Sequence, residues 1–224
     1  MLNRNYKNFN TSKNQFGFKK NSSCKLALFC IKETIIDYLE KNSECYILSL
    51  DAEKAFDKLW RDGLFYKLIK KLEKREWLIL KRYYNDSEAK IICNNQFSDQ
   101  FKIVTGVKQG GILSPFLFNT FIDELVEGIL EMNIGANIGR INMNVISYCD
   151  DLNLIFTSAI HGQMMLDKCS SFADKWKMKF NPKKSNAIVF GNPLFKRTSF
   201  FIDNDKIDLR IKLKSWVINL IQKI

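Results

Sequence analysis

Residues 145–156 read Val-Ile-Ser-Tyr-Cys-Asp-Asp-Leu-Asn-Leu-Ile-Phe, two apolar runs that are separated by a pair of aspartates. Apolar runs of this length that are bounded by turn-forming residues are typical of β-strands joined in a hairpin. We therefore predict a hairpin from Met143 to Phe156 that turns around Cys149, Asp150 and Asp151. Such a turn would hold two carboxylates at the rim of a sheet.

A third aspartate ends another apolar run. Cys45 to Leu50 predicts a short buried strand, and Asp51 follows it directly. Three carboxylates that converge at one rim would repel one another unless a cation neutralised them. Hard oxygen ligands select Mg²⁺ or Mn²⁺. Asp51, Asp150 and Asp151 therefore favour a site for two such ions, of the kind that catalyses phosphoryl transfer.

The residues alone leave simpler interpretations open. Aspartate is common in turns, and an Asp-Asp pair in a hairpin needs no metal. Asp51 could also cap a helix that begins near Ala52.

Apolar periodicity along the rest of the chain predicts helices over residues 22–40, 62–75, 114–130 and 161–179. The helix over 62–75 would keep its basic side chains, Lys67 among them, on the outside. Ser114 would cap the third helix, with Pro115 in its first turn. A hairpin over 89–104 that turns at Asn94 and Asn95, and a strand over Asn186–Phe190, complete the pattern. Helices and strands that mix without regular alternation indicate an α+β fold with an antiparallel sheet.

The overall composition agrees with a single large domain or two closely packed subdomains in 224 residues. The formal net charge of +11 favours a polyanionic partner such as nucleic acid, although a solvated basic surface has the same charge. The six cysteines include no C-x-x-C pair and His161 is the only histidine, which argues against a Cys/His zinc site.

The sequence also bears on localisation. Several cysteines sit in apolar runs, as buried reduced thiols do, so we expect an intracellular, reducing compartment, without distinguishing nucleus from cytoplasm. The N-terminus has no apolar stretch of the signal-peptide kind, and no uncharged run reaches the roughly 18–20 residues that a membrane span needs. We therefore expect no membrane association.

Five segments, in this order, resemble motifs of the reverse transcriptases of non-LTR (LINE-type) retrotransposons. They are Asn14-Gln15-Phe16-Gly17-Phe18-Lys19-Lys20, Ser49-Leu50-Asp51-Ala52-Glu53-Lys54-Ala55-Phe56-Asp57, Gly106-Val107-Lys108-Gln109-Gly110-Gly111-Ile112-Leu113-Ser114-Pro115, Tyr148-Cys149-Asp150-Asp151 and Phe180-Asn181-Pro182-Lys183-Lys184-Ser185. One four-residue motif would be weak, whereas five in order span nearly the whole chain.

The resemblance implies a right-hand polymerase with a ferredoxin-like palm, which is an antiparallel sheet with packed helices, plus partial fingers. Residues 1–45 would be partial fingers, 46–191 the palm with an embedded fingers segment (about 62–112), and 192–224 the start of a primer grip and thumb. Only Ile211 to Val217 loosely resembles a primer grip, and no basic triphosphate-gripping residue is recognised before Asn14. We therefore expect a polymerase that is truncated in fingers and thumb.

The resemblance also implies roles for single residues. Asp51, Asp150 and Asp151 would hold the two ions, with the Ala52 carbonyl as an extra ligand. For the nucleotide, Phe56 matches the gate that rejects a ribose 2′-hydroxyl, Gln109 and Gly110 match the nucleotide pocket, and Lys184 matches the proton donor to pyrophosphate. For the primer and template, Tyr148 would lie against the primer end. Lys19, Lys20 and the basic face from Lys67 to Arg82 would contact phosphates.

Each of these roles has an ordinary structural alternative. Phe56 could be a core aromatic, and Gly110 a loop glycine that needs a positive φ. The lysines could be solvated cations.

The function implied is RNA-directed DNA polymerisation, with an RNA template, a DNA primer and dNTPs as partners. Two alternatives remain: a non-catalytic nucleic-acid-binding remnant of such a polymerase, and another palm-type enzyme such as a nucleotidyl cyclase, in which the Gln109 and Lys184 segments would have no role.

Overall fold

The computed structural model describes residues 9–191 and 199–212, with side chains up to residue 207. The elements in chain order are α1 (Cys24–Glu40), β1 (Cys45–Asp51), α2 (Arg61–Leu68), α3 (Lys74–Asn85), β2 (Glu88–Ala89), β3 (Ile92–Cys93), β4 (Gln96–Phe97), β5 (Phe101–Lys102), α4 (Ser114–Leu130), β6 (Asn137–Ile138), β7 (Ile141–Asn142), β8 (Val145–Tyr148), β9 (Asp151–Phe156), α5 (Ala159–Trp176), β10 (Asn186–Phe190), β11 (Phe200–Ile202) and β12 (Asp205–Lys212).

The main sheet contains six strands in the order β11-β12-β10-β1-β9-β8. Within it, β10, β1, β9 and β8 are antiparallel neighbours, with α4 between β1 and β8 in the chain and α5 between β9 and β10. This is the β-α-β-β-α-β arrangement of ferredoxin-like folds. The predicted α+β class and antiparallel palm-like sheet are confirmed, with β10 and β12 as the one parallel pair among the described strands.

Strand β1 separates two apolar layers because its side chains alternate between the faces of the sheet. Tyr46, Leu48 and Leu50 belong to the larger core, which includes α4 and α5. Cys45 and Ile47 face the opposite side, where α1 covers them. Ser49 and Asp51 continue that second face, but Ser49 is exposed and Asp51 is half-buried. One end of this face is therefore open to solvent.

The predicted helix over 62–75 is wrong in its extent. Helix α2 ends at Leu68, and a second helix, α3, follows after a turn. Leu64, Phe65 and Leu68 are buried, as the periodicity indicated. The periodicity missed α3 because several of its apolar side chains, including Leu78 and Ile79, face solvent.

The prediction that Lys67 lies outside is also wrong. Its side chain is only 9% exposed, and its ammonium lies 3.8 Å from the centre of the Trp176 ring. The same ammonium donates to Glu124 Oε2 at 2.6 Å, while Lys175 donates to Oε1 at 2.8 Å. Glu124 on α4 thus joins α2 to α5, and the aliphatic stem of Lys67 can pack on aromatic rings while its charge is paired.

One predicted helix cap, and one capping role that the sequence left open, are also corrected. Ser114 is the first residue of α4 rather than its cap, and its hydroxyl donates to the carbonyl of Lys108. Asp51 caps no helix, because it is the last residue of β1 and turns follow it. By contrast, the predicted hairpin turn at Asn94 and Asn95 is confirmed, and both residues have the positive φ that such a turn needs.

The predicted start of a primer grip and thumb lies mostly outside the described residues, which contribute β11 and the paired strand β12 from that region. In the parts of the chain that the structure covers, none of the helices combines the length and the apolar character needed to cross a membrane.

The Glu124 junction generates a pH-dependent prediction. Partial burial would raise the pKa of Glu124, but hydrogen bonds from Lys175 and Lys67 dominate and lower it to about 2. A lowered pKa contributes stability above the unfolded value of about 4.5, and that stability is lost as the pH falls toward 2. Glu124→Gln should therefore cost roughly 1–2 kcal/mol at pH 7 after allowance for solvent screening.

Urea unfolding of Glu124→Gln and of the exposed-site control Glu131→Gln tests this expectation across pH. The Glu124 deficit should shrink between pH 4.5 and 2, whereas the control should match the wild type. A deficit that stayed constant over this range would contradict the assigned ion pairs.

Candidate active site

The pairing of β1 with β9 brings two of the predicted carboxylates together. Asp51 lies directly opposite Asp151 in the antiparallel register. Residues opposite each other in such a pair project to the same face, with Cβ atoms about 4.5–5.5 Å apart. Asp150 is the second residue of the two-residue turn between β8 and β9, and Asp151 follows it as the first residue of β9. All three aspartates therefore lie at the open end of the sheet.

The neighbouring side chains make the surface around these aspartates polar and aromatic. Tyr148 pairs with Asp151 on the far side from Asp51. The Phe18 ring lies 6.3 Å from the Tyr148 ring, and Phe18 is exposed. One row further along the strands, the Ser49 hydroxyl donates to Asn153 at 2.6 Å. The exposed end of the sheet thus carries an aromatic pair beside the carboxylates.

The ionised form of Asp151 is disfavoured by its surroundings. Its pKa is raised by partial burial and then by the negative charges of Asp150 and Asp51. Cys149, between Tyr148 and Asp150, has a buried thiol whose pKa is raised to about 12, by burial first and then by Asp150. That thiol stays protonated at neutral pH, so it is no nucleophile.

These residues fit a hard divalent cation in their donor chemistry. Carboxylate oxygens are the ligands that Mg²⁺ and Mn²⁺ prefer, and a cation would relieve the repulsion that raises the pKa of Asp151. Over the described residues, however, no three His, Cys, Asp or Glu side chains form a ready-made metal cluster.

The backbone beside Asp51 is held by the loop over residues 181–185. The Asp51 carbonyl accepts from Asn181 N–H at 2.8 Å, and the Asp51 N–H donates to Ser185 Oγ at 3.2 Å. Ala52 forms an antiparallel bridge with Phe180 in which its neighbours make the hydrogen bonds, so its own carbonyl points away from that partner. The same loop carries Lys184, which is exposed.

A pocket of about 570 Å³ brings together three of the residues that were predicted to contact the nucleotide, whereas Ala52 lines a different pocket. Phe56, Gln109 and Gly110 line it together with Phe18. Its volume lies in the range of small-molecule sites. The centre of the Phe56 ring lies 5.4 Å from that of Phe118, so the ring packs against the core at the wall of the pocket.

The loop at Gln109 and Gly110 is shaped by specific contacts. Gln109 donates to the Asp57 carboxylate at 2.8 Å, so this loop is tied to the segment that follows β1. Gly110 has φ +73°, and a Cβ there would meet no protein atom within 4 Å. Its glycine is therefore required by the backbone conformation, while the space beside it stays free for a ligand.

The lysines that were predicted to contact phosphates differ in their exposure to solvent. Lys19 donates to the carbonyls of Thr11 and Ser12, at 2.9 and 2.7 Å, and its partial burial lowers its pKa. Lys20 is exposed beside it. Lys67, at the start of the proposed basic face, is buried against Trp176 and is therefore withdrawn from that face.

Two residues without a predicted role hold the loop over residues 103–109 in place. Asp57 holds Gln109. Arg61 is buried, and its guanidinium donates to the carbonyls of Gly106, Tyr84 and Ile103. Their partners lie more than 20 residues away in sequence, so local pattern carries no signal of these contacts.

Comparisons with known proteins agree with the sequence motifs. A sequence profile of the family described as "Reverse transcriptase (RNA-dependent DNA polymerase)" matches residues 1–209. The chain is 29% identical over 195 residues to the Retrovirus-related Pol polyprotein from type-2 retrotransposable element R2DM of Drosophila melanogaster, covering 82% of this chain and 18% of that protein. It is 24% identical over 184 residues to the RNA-directed DNA polymerase from mobile element jockey of the same species, covering 80% and 20%. The chain thus spans about a fifth of the length of these relatives.

Among solved structures, the fold is similar to telomerase from Candida albicans in complex with the TWJ fragment of telomeric RNA. The TM-score is 0.60 at 13% identity, over 92% of this chain and 34% of that one. Apo telomerase from Candida tropicalis gives a TM-score of 0.58 at 14% identity, over 84% and 35%. At such identities the likeness concerns the fold alone.

The raised pKa of Asp151 leads to a second prediction. Because the folded-state pKa of Asp151 is raised, its ionised form opposes folding, and the penalty appears as the pH rises above the ordinary value of 3.8 and through the raised one. Asp151→Asn should therefore raise the Tm at pH 7 in the absence of divalent cations, and this gain should vanish below pH 3.8.

Addition of Mg²⁺ should raise the Tm of the wild type more than that of Asp151→Asn, because binding to the folded state stabilises it. Asp99→Asn, at an exposed position, is the matched control and should leave Tm unchanged. A lower Tm for Asp151→Asn at pH 7 would exclude the repulsion described above.

Proposed function

The chain belongs to the reverse transcriptase (RNA-dependent DNA polymerase) family, and from this premise we propose that it is the catalytic core of an RNA-directed DNA polymerase. It would extend the 3′-hydroxyl of a DNA primer with dNTPs along an RNA template. The single observation that carries the proposal is the register of β1 and β9, which sets Asp51 opposite Asp151 with Asp150 adjacent.

The carboxylates would supply the binding site for catalytic ions. When bound there, Mg²⁺ or Mn²⁺ would supply activation of the attacking hydroxyl and stabilisation of the leaving phosphate oxygens. Asp51 and Asp151 would hold them from adjacent strands, Asp150 from the turn, and the Ala52 carbonyl as an additional oxygen. The hydrogen bond that the Asp51 carbonyl accepts from Asn181 N–H and the one that the Asp51 N–H donates to Ser185 Oγ support this role, because they fix the backbone of Asp51.

The pocket lined by Phe56, Gln109 and Gly110 would take the incoming dNTP. The exposed backbone at Gly110 leaves room for close approach of the nucleotide, and Asp57 orients the Gln109 amide. Phe56, braced by Phe118, would exclude a ribose 2′-hydroxyl by occupying its space. Positioning of this kind contributes strongly to phosphoryl transfer, in which the protein makes few covalent bonds itself.

Primer and template contacts complete the proposal. Tyr148 would lie against the primer end, where Phe18 extends the aromatic surface. Lys184 would donate a proton to the departing pyrophosphate, from the loop that is bonded to Asp51. The net charge of +11 favours a nucleic-acid duplex, with Lys19 and Lys20 near phosphates. Residues 46–191 would form the palm, with the fingers segment embedded at about 62–112.

Primer extension on an RNA template with Mg²⁺ tests the proposed activity. Asp150→Asn and Asp51→Asn should each reduce incorporation by on the order of 10³-fold or more, because each removes a charged ligand of the ions. Asp99→Asn should retain wild-type incorporation. Equal incorporation by all variants would contradict the catalytic assignment.

The same assay distinguishes the non-catalytic alternative. A binding remnant would bind RNA–DNA hybrids in a salt-sensitive way without any incorporation by the wild type. Template-free product formation would instead favour a different palm-type enzyme.

Sugar selection tests the role of Phe56. Phe56→Val should raise incorporation of ribonucleotides relative to deoxynucleotides by on the order of tenfold, because the smaller side chain leaves space for the 2′-hydroxyl. Phe101→Val, the same change at an exposed position on β5, is the control. Unchanged selectivity in a folded Phe56→Val protein would assign this ring to core packing alone.

A further inference from the structure

The segment over residues 14–17 runs beside β8 and holds its end. Gln15 forms a parallel bridge with Ser147. Phe16 N–H donates to the Ser147 carbonyl at 2.8 Å, and Ser147 N–H donates to the Asn14 carbonyl at 2.9 Å. The segment therefore acts as an additional short strand immediately before the turn that carries Asp150.

The side chain of Gln15 bonds to this turn directly. It is fully buried, and its Oε1 accepts from Cys149 N–H at 3.0 Å and from Gly17 N–H at 2.8 Å. Its Nε2 donates to Ser147 Oγ at 2.9 Å, and that hydroxyl donates to the Cys149 carbonyl at 3.3 Å. Both polar backbone groups of Cys149 are thus bound, one directly and one through Ser147.

Cys149 needs this support because of its conformation. Its φ of +57° lies in the left-handed region, which residues with a Cβ rarely adopt. Cys149 is the first of the two turn residues, and Asp150 and Asp151 follow it. A change in its backbone would therefore move both carboxylates relative to Asp51.

Gly17 shows independently how close this contact is. A Cβ at Gly17 would lie 2.5 Å from the backbone nitrogen of Cys149. Glycine is therefore needed for the segment to approach the turn. Asn119 of α4 donates to the Gly17 carbonyl at 2.7 Å and secures the segment from the other side.

We propose that Gln15 is a positioning residue that holds the Tyr148–Asp151 turn in its left-handed conformation and so sets the geometry of Asp150 and Asp151. This inference rests on the proposed function for its catalytic consequence. The structural part, a side chain that holds the Cys149 backbone, is measurable without any reaction.

Amide exchange in the full chain labelled with ¹⁵N-cysteine measures that part. Gln15→Met keeps the length of the side chain but removes its hydrogen bonds. The protection of the Cys149 amide should fall about tenfold, while Cys45 in β1 and Cys169 in α5 should change less than about twofold. Gln96→Met, the same change on an exposed Gln side chain, should alter none of the three.

Ser147→Ala provides a second variant, which removes only the hydroxyl between Gln15 and the Cys149 carbonyl. If Gln15→Met unfolds the whole chain, this variant decides the question, and a selective loss of protection at Cys149 supports the proposal. Unchanged protection of Cys149 in a folded Gln15→Met protein, or a uniform loss at all three amides in Ser147→Ala, would overturn it.

Primer extension measures the catalytic consequence. Gln15→Met should lower kcat about tenfold and raise the Mg²⁺ concentration needed for half-maximal activity, with KM for dNTP nearly unchanged, because the carboxylates rather than the nucleotide pocket are displaced. Selective exchange at Cys149 with wild-type kcat would overturn the catalytic part. If the wild type itself incorporates nothing, the proposed function fails, and the exchange result still decides whether Gln15 holds the turn.

Discussion

The register of β1 against β9 is the constraint on which the rest of the site depends. Side chains alternate between the two faces of a strand, so a slip of one residue would turn Asp51 toward the large apolar core. Tyr46, Leu48 and Leu50 oppose such a slip because they are buried against α4 and α5. The same apolar contacts that stabilise the sheet therefore keep Asp51 beside Asp151.

Much of this fold could be predicted from local pattern. Strands β1 and β10 and the hairpin of β8 and β9 are short apolar runs bounded by turns, and their bounds agree closely with the prediction. The ordered motifs indicated a reverse transcriptase domain of the non-LTR type, which the family match and the retrotransposon relatives confirm. Helix α3 and the burial of Lys67 were not predictable in this way. Solvent-facing Leu78 and Ile79 obscure the periodicity of α3, and Lys67 is buried because Trp176 and Glu124 come from distant helices.

In the candidate site too, some residues could be predicted from local sequence pattern and others could not. Asp51, Asp150 and Asp151 stood out because each interrupts or ends an apolar run, and Phe56, Gln109 and Gly110 were identified by motif and line one pocket. Gln15 belongs to one of the motifs, but the proposed role of its side chain in holding the turn depends on hydrogen bonds to residues more than 130 positions away. The turn combines a left-handed cysteine with adjacent like charges, and both features cost stability in the free protein. Such costs are common where geometry serves a ligand, and here they lie around the carboxylates that would receive one.

The most direct test of the central claim is a crystal structure of the full chain soaked with Mn²⁺ and a dNTP, with anomalous scattering used to locate the metal. The account predicts two Mn²⁺ peaks ~3.5–4 Å apart, each within coordination distance of Asp51 or Asp151, with the nucleotide in the pocket beside Phe56. Anomalous peaks elsewhere, or none beside Asp51 and Asp151 at saturating Mn²⁺, would contradict it.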